Sequence, residues 1–265
     1  MSGHAVLLPS MKTHLLRIAI SRRFALLAML ATTGALLALA TGPAHCADAP
    51  AWAPPTVLEY DGKGLEQGFL SYSGTGTLQW SHDSAQYQAR LEITAFGLRL
   101  RTWNSSGKLG NQGLQPEHFE DTTRSGQWNT RFLRDKGVIS FSSGSPDQPL
   151  QADAQDKLSA LLQLGAIVSA DPQHYSNGES IHFQAADAHQ AERWEFHGSA
   201  PETLQLAAGE SLVASKFTKE PTPEFNQKIE VWLAPVMAYL PVRMRITESS
   251  GSFVDLLWHK PHKPD

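Results

Sequence analysis

The stretch DAQDKLSALLQLGAIVSA (Asp153–Ala170) decides the fold, because it is the one long helical pattern in a chain that otherwise alternates apolar and polar residues. Apolar or small residues recur in it at helical spacings, namely at Leu158, Leu161, Leu162, Gly165 and Val168. Asp153 can cap the start, and Asp171-Pro172 can end the helix. The pattern predicts an amphipathic helix over about residues 153–170, roughly four turns long.

Strand-like segments lie on both sides of that helix. A clear example is YQARLEIT (Tyr87–Thr94), where apolar and polar residues alternate along the whole segment, as in a strand with one solvated face. Short turns join these segments, which indicates antiparallel pairing, since parallel neighbours need a long crossover. So many strands must curl, close or split into two layers. The sequence therefore predicts a mainly β protein: a strongly curved antiparallel sheet or half-open β-barrel with the helix packed on it. A two-sheet sandwich is the alternative.

The N-terminal segment has the order of residues of a secretory signal peptide. Its basic residues, with no acidic residue among them, are Lys12, Arg17, Arg22 and Arg23. The apolar core FALLAMLATTGALLALA (Phe24–Ala40) and a Gly-Pro pair follow. We expect cleavage and a mature protein in the periplasm of a Gram-negative-type envelope. The alternative is an uncleaved signal that anchors the chain in the inner membrane, and membrane association is expected only through this segment.

The patterning divides the chain into one domain with short flanking parts. These parts are a signal peptide at 1–46, an Ala- and Pro-rich linker at 47–55, a single β domain at 56–260 and a tail at 261–265. Either Met1 or Met11 can be the true start. Cys46 is the only cysteine and is a candidate for lipidation, but His45 stands where a lipobox has a small residue, which favours ordinary cleavage.

Charge and motifs exclude several classes of function. Subtracting the four basic residues of the signal segment from the chain's 22 Lys and Arg leaves 18 against 26 Asp and Glu, a net charge of −8. With that charge and no basic cluster, we expect no nucleic-acid partner. The sequence has no G-x-S-x-G pentapeptide, and its histidines lack metal-ligand spacing. We therefore assign no catalytic residue, no metal site and no cofactor.

Aromatic residues give the one positive indication of a binding site. Six of the seven tryptophans lie in or beside predicted strands. They can line an apolar cavity inside a curved sheet, or they can simply fill its core. On the first interpretation, the candidate ligand-binding residues are Trp80, Trp103, Trp194, Trp232, Tyr239 and Leu161. The expected ligand is a lipid or an acyl chain.

Several blocks together resemble the DUF3108 family of uncharacterised exported bacterial proteins. These blocks are LEY (58–60) before a glycine turn, GLQPEHFED (113–121), QDKLSALLQL (155–164), and VWLAP (231–235) followed by LPVRMRI (240–246). The resemblance implies a secreted, predominantly antiparallel β domain without an agreed activity. It marks eight residues without giving them a role: Tyr60, Gly68, Pro116, Phe119, Asp156, Ser159, Pro241 and Arg243.

The leading hypothesis is a non-catalytic binding or envelope-maintenance protein with an apolar, lipid-like cavity. A structural partner of another envelope protein is one alternative, and an exposed apolar patch would indicate it. A hydrolase acting on cell-wall or glycan material is the other. That activity would require Asp156, Glu117, Arg243 or some histidines to meet in one cleft.

Overall fold

The computed structural model of the chain describes residues 52–110, 113–206, 209–223 and 225–259. These residues belong to one compact unit, Cys46–Asp265. The predicted signal peptide, the first five linker residues and the tail lie outside the described residues, so those predictions stand as predictions.

Most of the described chain is β-structure. The strands are β1 (Thr56–Glu66), β2 (Leu70–His82), β3 (Gln86–Ala95), β4 (Leu98–Gly110), β5 (Gly113–Thr123), β6 (Gly126–Leu133), β7 (Val138–Phe141), β8 (Gln148–Pro149), β9 (Gln155–Asp156), β10 (Ser180–Ala186), β11 (Ala191–Gly198), β12 (Glu202–Gln205), β13 (Ser211–Lys219), β14 (Lys228–Leu233), β15 (Pro241–Thr247) and β16 (Phe253–Trp258). The helices are α1 (Lys157–Ala170), the short α2 (Pro172–Ser176) and a 3-10 turn at Pro235–Met237.

The strands form one long, open sheet. Its order is β8-β7-β6-β5-β4-β3-β2-β1-β16-β15-β14-β13-β11-β10-β9, with β12 paired to β13 off this path. Neighbours are antiparallel except β9 and β10. The first and last strands of the pairing path, β8 and β9, are separated in the chain by residues 150–154 alone. The prediction of a strongly curved antiparallel sheet, or half-open barrel, is confirmed, and the two-sheet sandwich does not form.

Glutamine side chains bridge the two edges that no strand ladder joins. Gln184 donates from Nε2 to the Pro149 carbonyl at 2.9 Å and accepts at Oε1 from the Gln151 N–H at 2.9 Å. Gln148 Oε1 accepts from the Ala191 N–H at 2.5 Å. Because an amide side chain both donates and accepts, it can satisfy backbone groups of either sign at such a seam. The barrel is thus partly closed by side chains.

The helix begins at Lys157, and its cap is Asp156, so the predicted cap at Asp153 is wrong. Asp156 Oδ1 accepts from the Leu158 and Ser159 N–H groups at 2.9 and 2.8 Å. The Ser159 hydroxyl accepts from the Asp156 N–H at 2.8 Å, which completes a capping box. Asp153 instead pairs with Arg193 at 2.6 Å.

The helix packs on the sheet as predicted, but it is not amphipathic. Every residue from Lys157 to Ala166 is buried, together with Val168. The curled sheet surrounds α1, so the side expected to face solvent also meets protein. Gln163, on that side, finds a partner inside the protein, since its Oε1 accepts from the Leu114 N–H at 2.7 Å. The helix therefore fills the barrel interior.

Candidate functional site

One end of the barrel carries a cleft of about 200 Å³, which we call the mouth cleft. The β1–β2 and β15–β16 turns meet here, because the Gln67 N–H donates to Ser252 Oγ at 3.0 Å. The cleft combines an apolar wall with polar groups. Its lining is Glu66, Ile93, Arg101, Gln227, Ile246, Glu248, Ser252, Phe253 and Val254.

The polar groups of the mouth cleft are held by fixed partners. Arg101 forms a two-point ion pair with Asp121, with Nε–Oδ1 and Nη2–Oδ2 distances of 2.9 and 2.5 Å. Gln227 Nε2 donates to Glu248 Oε1 at 2.6 Å. The pairing with Asp121 orients the guanidinium, since a bidentate pair fixes both partners.

Two buried lysines lie beside this cleft. Lys157, the first residue of α1, is 5% exposed, and its Nζ donates to Gln227 Oε1 at 3.0 Å. Lys219 on β13 is 1% exposed and donates to the backbone carbonyls of Phe225 and Gln227 at 3.1 and 3.3 Å. Burial lowers the pKa of both amines because the charged form loses hydration.

Aromatic rings surround the two ammonium groups. The Phe225 ring lies 5.8 Å from Lys157 Nζ and 5.6 Å from Lys219 Nζ. Trp103 lies 5.9 Å from Lys157 Nζ, and Trp194 lies 5.8 Å from Lys219 Nζ. We call the group Lys157, Lys219, Trp103, Trp194, Phe225 and Gln227 the lysine chamber. Gln227 belongs to both the chamber and the mouth cleft.

The six residues predicted to bind a ligand do not surround one cavity. Trp80, Trp103, Trp194 and Leu161 are buried in the main core, while Trp232 lies in a second hydrophobic cluster. Trp103 and Trp194 belong to the lysine chamber.

Tyr239 lies elsewhere, at a crevice of about 10 Å³. This crevice is also lined by Trp52, Trp80 and Gly165. It is too small for a lipid, because even one water molecule needs about this volume. The lipid-binding role of the six residues therefore stays a prediction.

Five of the residues marked by the family resemblance hold the fold together. Tyr60 is fully buried and donates its hydroxyl to the Pro241 carbonyl at 2.7 Å, which joins β1 to β15. Asp156 and Ser159 form the capping box of α1. Phe119 is fully buried in the main core.

The other three lie at a turn, at a register shift between two strands and against the second hydrophobic cluster. Gly68 adopts a φ of 77° in the β1–β2 turn, a conformation that glycine tolerates best. Pro116 lies where the β4–β5 register shifts. The Arg243 guanidinium lies 4.6 Å from the Trp232 ring and pairs with Asp255 at 2.9 and 2.6 Å.

A buried carboxylate network lies within the barrel, away from the mouth cleft lining. The Ser105 hydroxyl donates to Asp156 Oδ2 at 2.6 Å and lies 2.9 Å from the Tyr87 hydroxyl. Burial raises the pKa of Asp156 from 3.8 to about 6, against the opposing effect of its hydrogen bonds.

Asp156, Glu117 and Arg243, which the hydrolase hypothesis required to share a cleft, do not meet. Asp156 is buried, whereas Glu117 is exposed and pairs with Lys108 at 3.1 Å. Arg243 pairs with Asp255 and stacks on the second cluster. Within residues 52–259 as described, no group of three His, Cys, Asp or Glu side chains is arranged to hold a metal ion. No helix in the same ranges is long and apolar enough to cross a membrane.

Sequence patterns did not single out the lysine chamber, although one signal was available. In SLVASKFTK (Ser211–Lys219), period-two alternation places Lys219 on the same face as the buried Phe217. Lys157 gave no such signal, because a lysine in the first turn of a helix is ordinarily solvated. Its burial follows from the sheet that surrounds α1.

Fold and site together define a half-open antiparallel β-barrel that encloses one helix and has a mixed apolar and charged cleft at one end. A similar solved structure is a beta-barrel-like protein of domain of unknown function DUF1849 from Brucella abortus. The TM-score is 0.51 at 9% identity, with 79% of this chain and 98% of that chain covered. This likeness concerns the fold alone.

The family assignment comes from the sequence match. The match to the family described as a protein of unknown function (DUF3108) spans residues 60–257, and the chain belongs to this family. The resemblance stated from the motif blocks is confirmed. No curated protein matches the chain.

Proposed function

We propose that this protein is a non-catalytic binding protein of the periplasmic cell envelope that holds a single-chain amphiphile at the barrel mouth. The observation that carries the proposal is the mouth cleft, where Ile93, Ile246 and Val254 form an apolar wall next to Arg101. An amphiphile needs both kinds of surface in one place. The N-terminal signal pattern supports the location.

The ligand chain lies in the mouth cleft rather than in the middle of the barrel, because α1 fills the interior. At about 200 Å³ the cleft is smaller than the roughly 300–1,000 Å³ of sites that enclose drug-sized ligands. It therefore fits part of one acyl chain, with the remainder outside.

Replacing Val254 by alanine tests the position of the ligand. Val254 lines the cleft and is only half-buried, so its truncation removes ligand contact with limited effect on the core. We expect decanoate and 1-decanol to bind the variant about tenfold more weakly, which corresponds to roughly 1.4 kcal/mol. Isothermal titration calorimetry measures both affinities.

Val213→Ala is the matched control, since Val213 is an exposed apolar residue that does not line the cleft. Equal affinities in Val254→Ala and Val213→Ala would place the ligand elsewhere. If the unmodified protein binds neither probe, the proposed function is wrong.

A second candidate, a structural partner of another envelope protein, is favoured by exposed apolar residues on two turns. Phe69 is 77% exposed, Phe96 is 67% exposed, and Leu70 and Leu98 are about half exposed. The turns adjoin because β2 pairs with β3, and the Tyr72 and Phe96 rings lie 5.6 Å apart. Such a patch is typical of an interaction surface.

Phe96→Asn is expected to stabilise the fold and weaken any such association. Phe96 and Gly97 have φ values of 55° and 69°, as the two central residues of a tight hairpin turn do. Asparagine is a preferred residue at the first of these two positions. We expect the free energy of unfolding to rise by about 0.5–1 kcal/mol, as measured by urea denaturation. Sedimentation of native envelope extracts tests the association. A variant that sediments in the same complex as the unmodified protein contradicts the partner role.

A further inference from the structure

The lysine chamber has an excess of hydrogen-bond donors. An ammonium group has three donors, yet Lys157 Nζ makes one hydrogen bond to a neutral amide, and its nearest described carboxylate, Asp187, is 4.0 Å away. The Trp103 and Trp194 indole N–H groups are buried and have no partner among the described residues. Buried donors without acceptors cost free energy, and a buried charge costs more. The complementary group is therefore an acceptor with negative charge.

Most oxygens of the nearby carboxylates have other partners. Asp121 is paired with Arg101, and Glu248 accepts from Gln227. Glu192 accepts at Oε2 from the Thr222 hydroxyl at 2.8 Å, and its Oε1, which is buried without a hydrogen bond, lies 3.4 Å from Lys219 Nζ. The charge of Lys219 is thus partly balanced by Glu192, whereas the charge of Lys157 has only the more distant Asp187 to balance it.

The Phe225 ring lies close to both ammonium groups. It is buried and belongs to the connection between β13 and β14, so its movement need not break a strand ladder. Thr222 holds it by a local turn, in which the Phe225 N–H donates to Thr222 Oγ1 at 3.0 Å. The ring makes cation–π contacts with both ammonium groups. This attraction is weaker than the attraction between an ammonium group and a desolvated anion.

Gln227 joins the chamber to the mouth cleft. Its Oε1 accepts from Lys157, and its Nε2 donates to Glu248 in the cleft lining. Movement of this one side chain, together with Phe225, would connect the cleft to both ammonium groups.

We propose that the lysine chamber binds the carboxylate head of a single-chain amphiphile, and that Phe225 moves out to admit it. This proposal rests on the proposed function, because the acyl chain of the same ligand lies in the mouth cleft. The head group accepts hydrogen bonds from Lys157, Lys219 and the free indole N–H groups. The site therefore selects an acidic amphiphile over an uncharged one of equal chain length.

Titration with decanoate and 1-decanol at pH 7.5 tests the selection. The two probes share their chain and differ in charge. We expect the unmodified protein to bind decanoate at least tenfold more tightly. Lys157→Met and Lys219→Met are expected to lose most of this preference while retaining their affinity for 1-decanol. Lys157→Arg keeps the charge and is expected to restore the preference.

Phe225→Ala tests the displaced ring without altering either lysine. We expect it to raise the affinity for decanoate several-fold, because no ring has to leave, whereas Val254→Ala lowers the affinity for both probes. Equal binding of the two probes by the unmodified protein overturns the chamber proposal and leaves the proposed function standing. A folded Lys157→Met variant that still prefers decanoate also overturns it. Binding of neither probe overturns both.

Discussion

Replacing Gly165 by alanine is expected to lower the free energy of unfolding by about 2 kcal/mol, and replacing it by valine by about 3 kcal/mol or more. Gly165 lies in the middle of α1, where a Cβ atom would overlap the Tyr239 carbonyl oxygen and lie 3.2 Å from its carbon. The obstacle is backbone, which cannot rotate away as a side chain can. Either α1 or the β14–β15 connection must shift.

Helix propensity gives the opposite expectation, and this makes the test decisive. In a helix interior alanine is favoured over glycine by about 1 kcal/mol, so an uncrowded site would be stabilised by Gly165→Ala. Urea denaturation measures the difference, with Ser169→Ala on the same helix as the control. A Gly165→Ala protein as stable as the unmodified one, or more stable, would show that the helix and the connection do not approach this closely.

The connection between β14 and β15, whose Tyr239 carbonyl approaches Gly165, has an unusual backbone conformation. Ala238 and Tyr239 both have positive φ values, 50° and 58°, which are unfavourable for residues with a Cβ atom. The Tyr239 N–H donates to the Ala234 carbonyl at 3.0 Å, which keeps the turn tight over α1. Tyr239 therefore has a packing role, independent of any ligand.

The sequence predicted those features that depend on local pattern. Alternation over Tyr87–Thr94 indicated a half-solvated strand, and Asp171-Pro172 indicated the end of α1. Both signals arise from residues a few positions apart. The same reasoning placed the cap at Asp153, because two aspartates precede the helix and pattern alone does not decide which carboxylate reaches the first turn.

Features that depend on distant contacts were not accessible. Gln184 meets Pro149 across the seam, and Lys157 meets Gln227, which follows it by 70 residues. A sequence shows neither which strand edges adjoin nor that the sheet surrounds α1. For the same reason the helix was expected to have a solvated face. The candidate site follows from this enclosure, because only enclosure turns two ordinary lysines into buried cations.

Asp156→Asn is expected to remove a pH dependence of stability that the unmodified protein shows between about pH 4 and pH 6. Asp156 is fully buried, and burial raises its pKa from 3.8 to about 6. Between these values the folded protein keeps a proton that the unfolded chain releases. The stabilisation from this group is complete below pH 3.8 and is lost as the pH rises through about 6. A shift of about two pKa units corresponds to roughly 3 kcal/mol.

Asparagine separates the charge of Asp156 from its capping role. It is as good a helix cap as aspartate, because its side-chain oxygen can accept from Leu158 and Ser159 while remaining uncharged. We expect Asp156→Asn to be more stable than the unmodified protein at pH 7 and to differ little from it at pH 4. Asp156→Ala loses the cap as well and should be less stable than Asp156→Asn by about 2 kcal/mol at either pH. Urea denaturation at several pH values gives all three curves.

If the curve of Asp156→Asn runs parallel to that of the unmodified protein, Asp156 is not the titrating group. A parallel curve would also mean that the start of α1 is open to water, and the burial of the adjacent Lys157, on which the lysine chamber depends, would be in question.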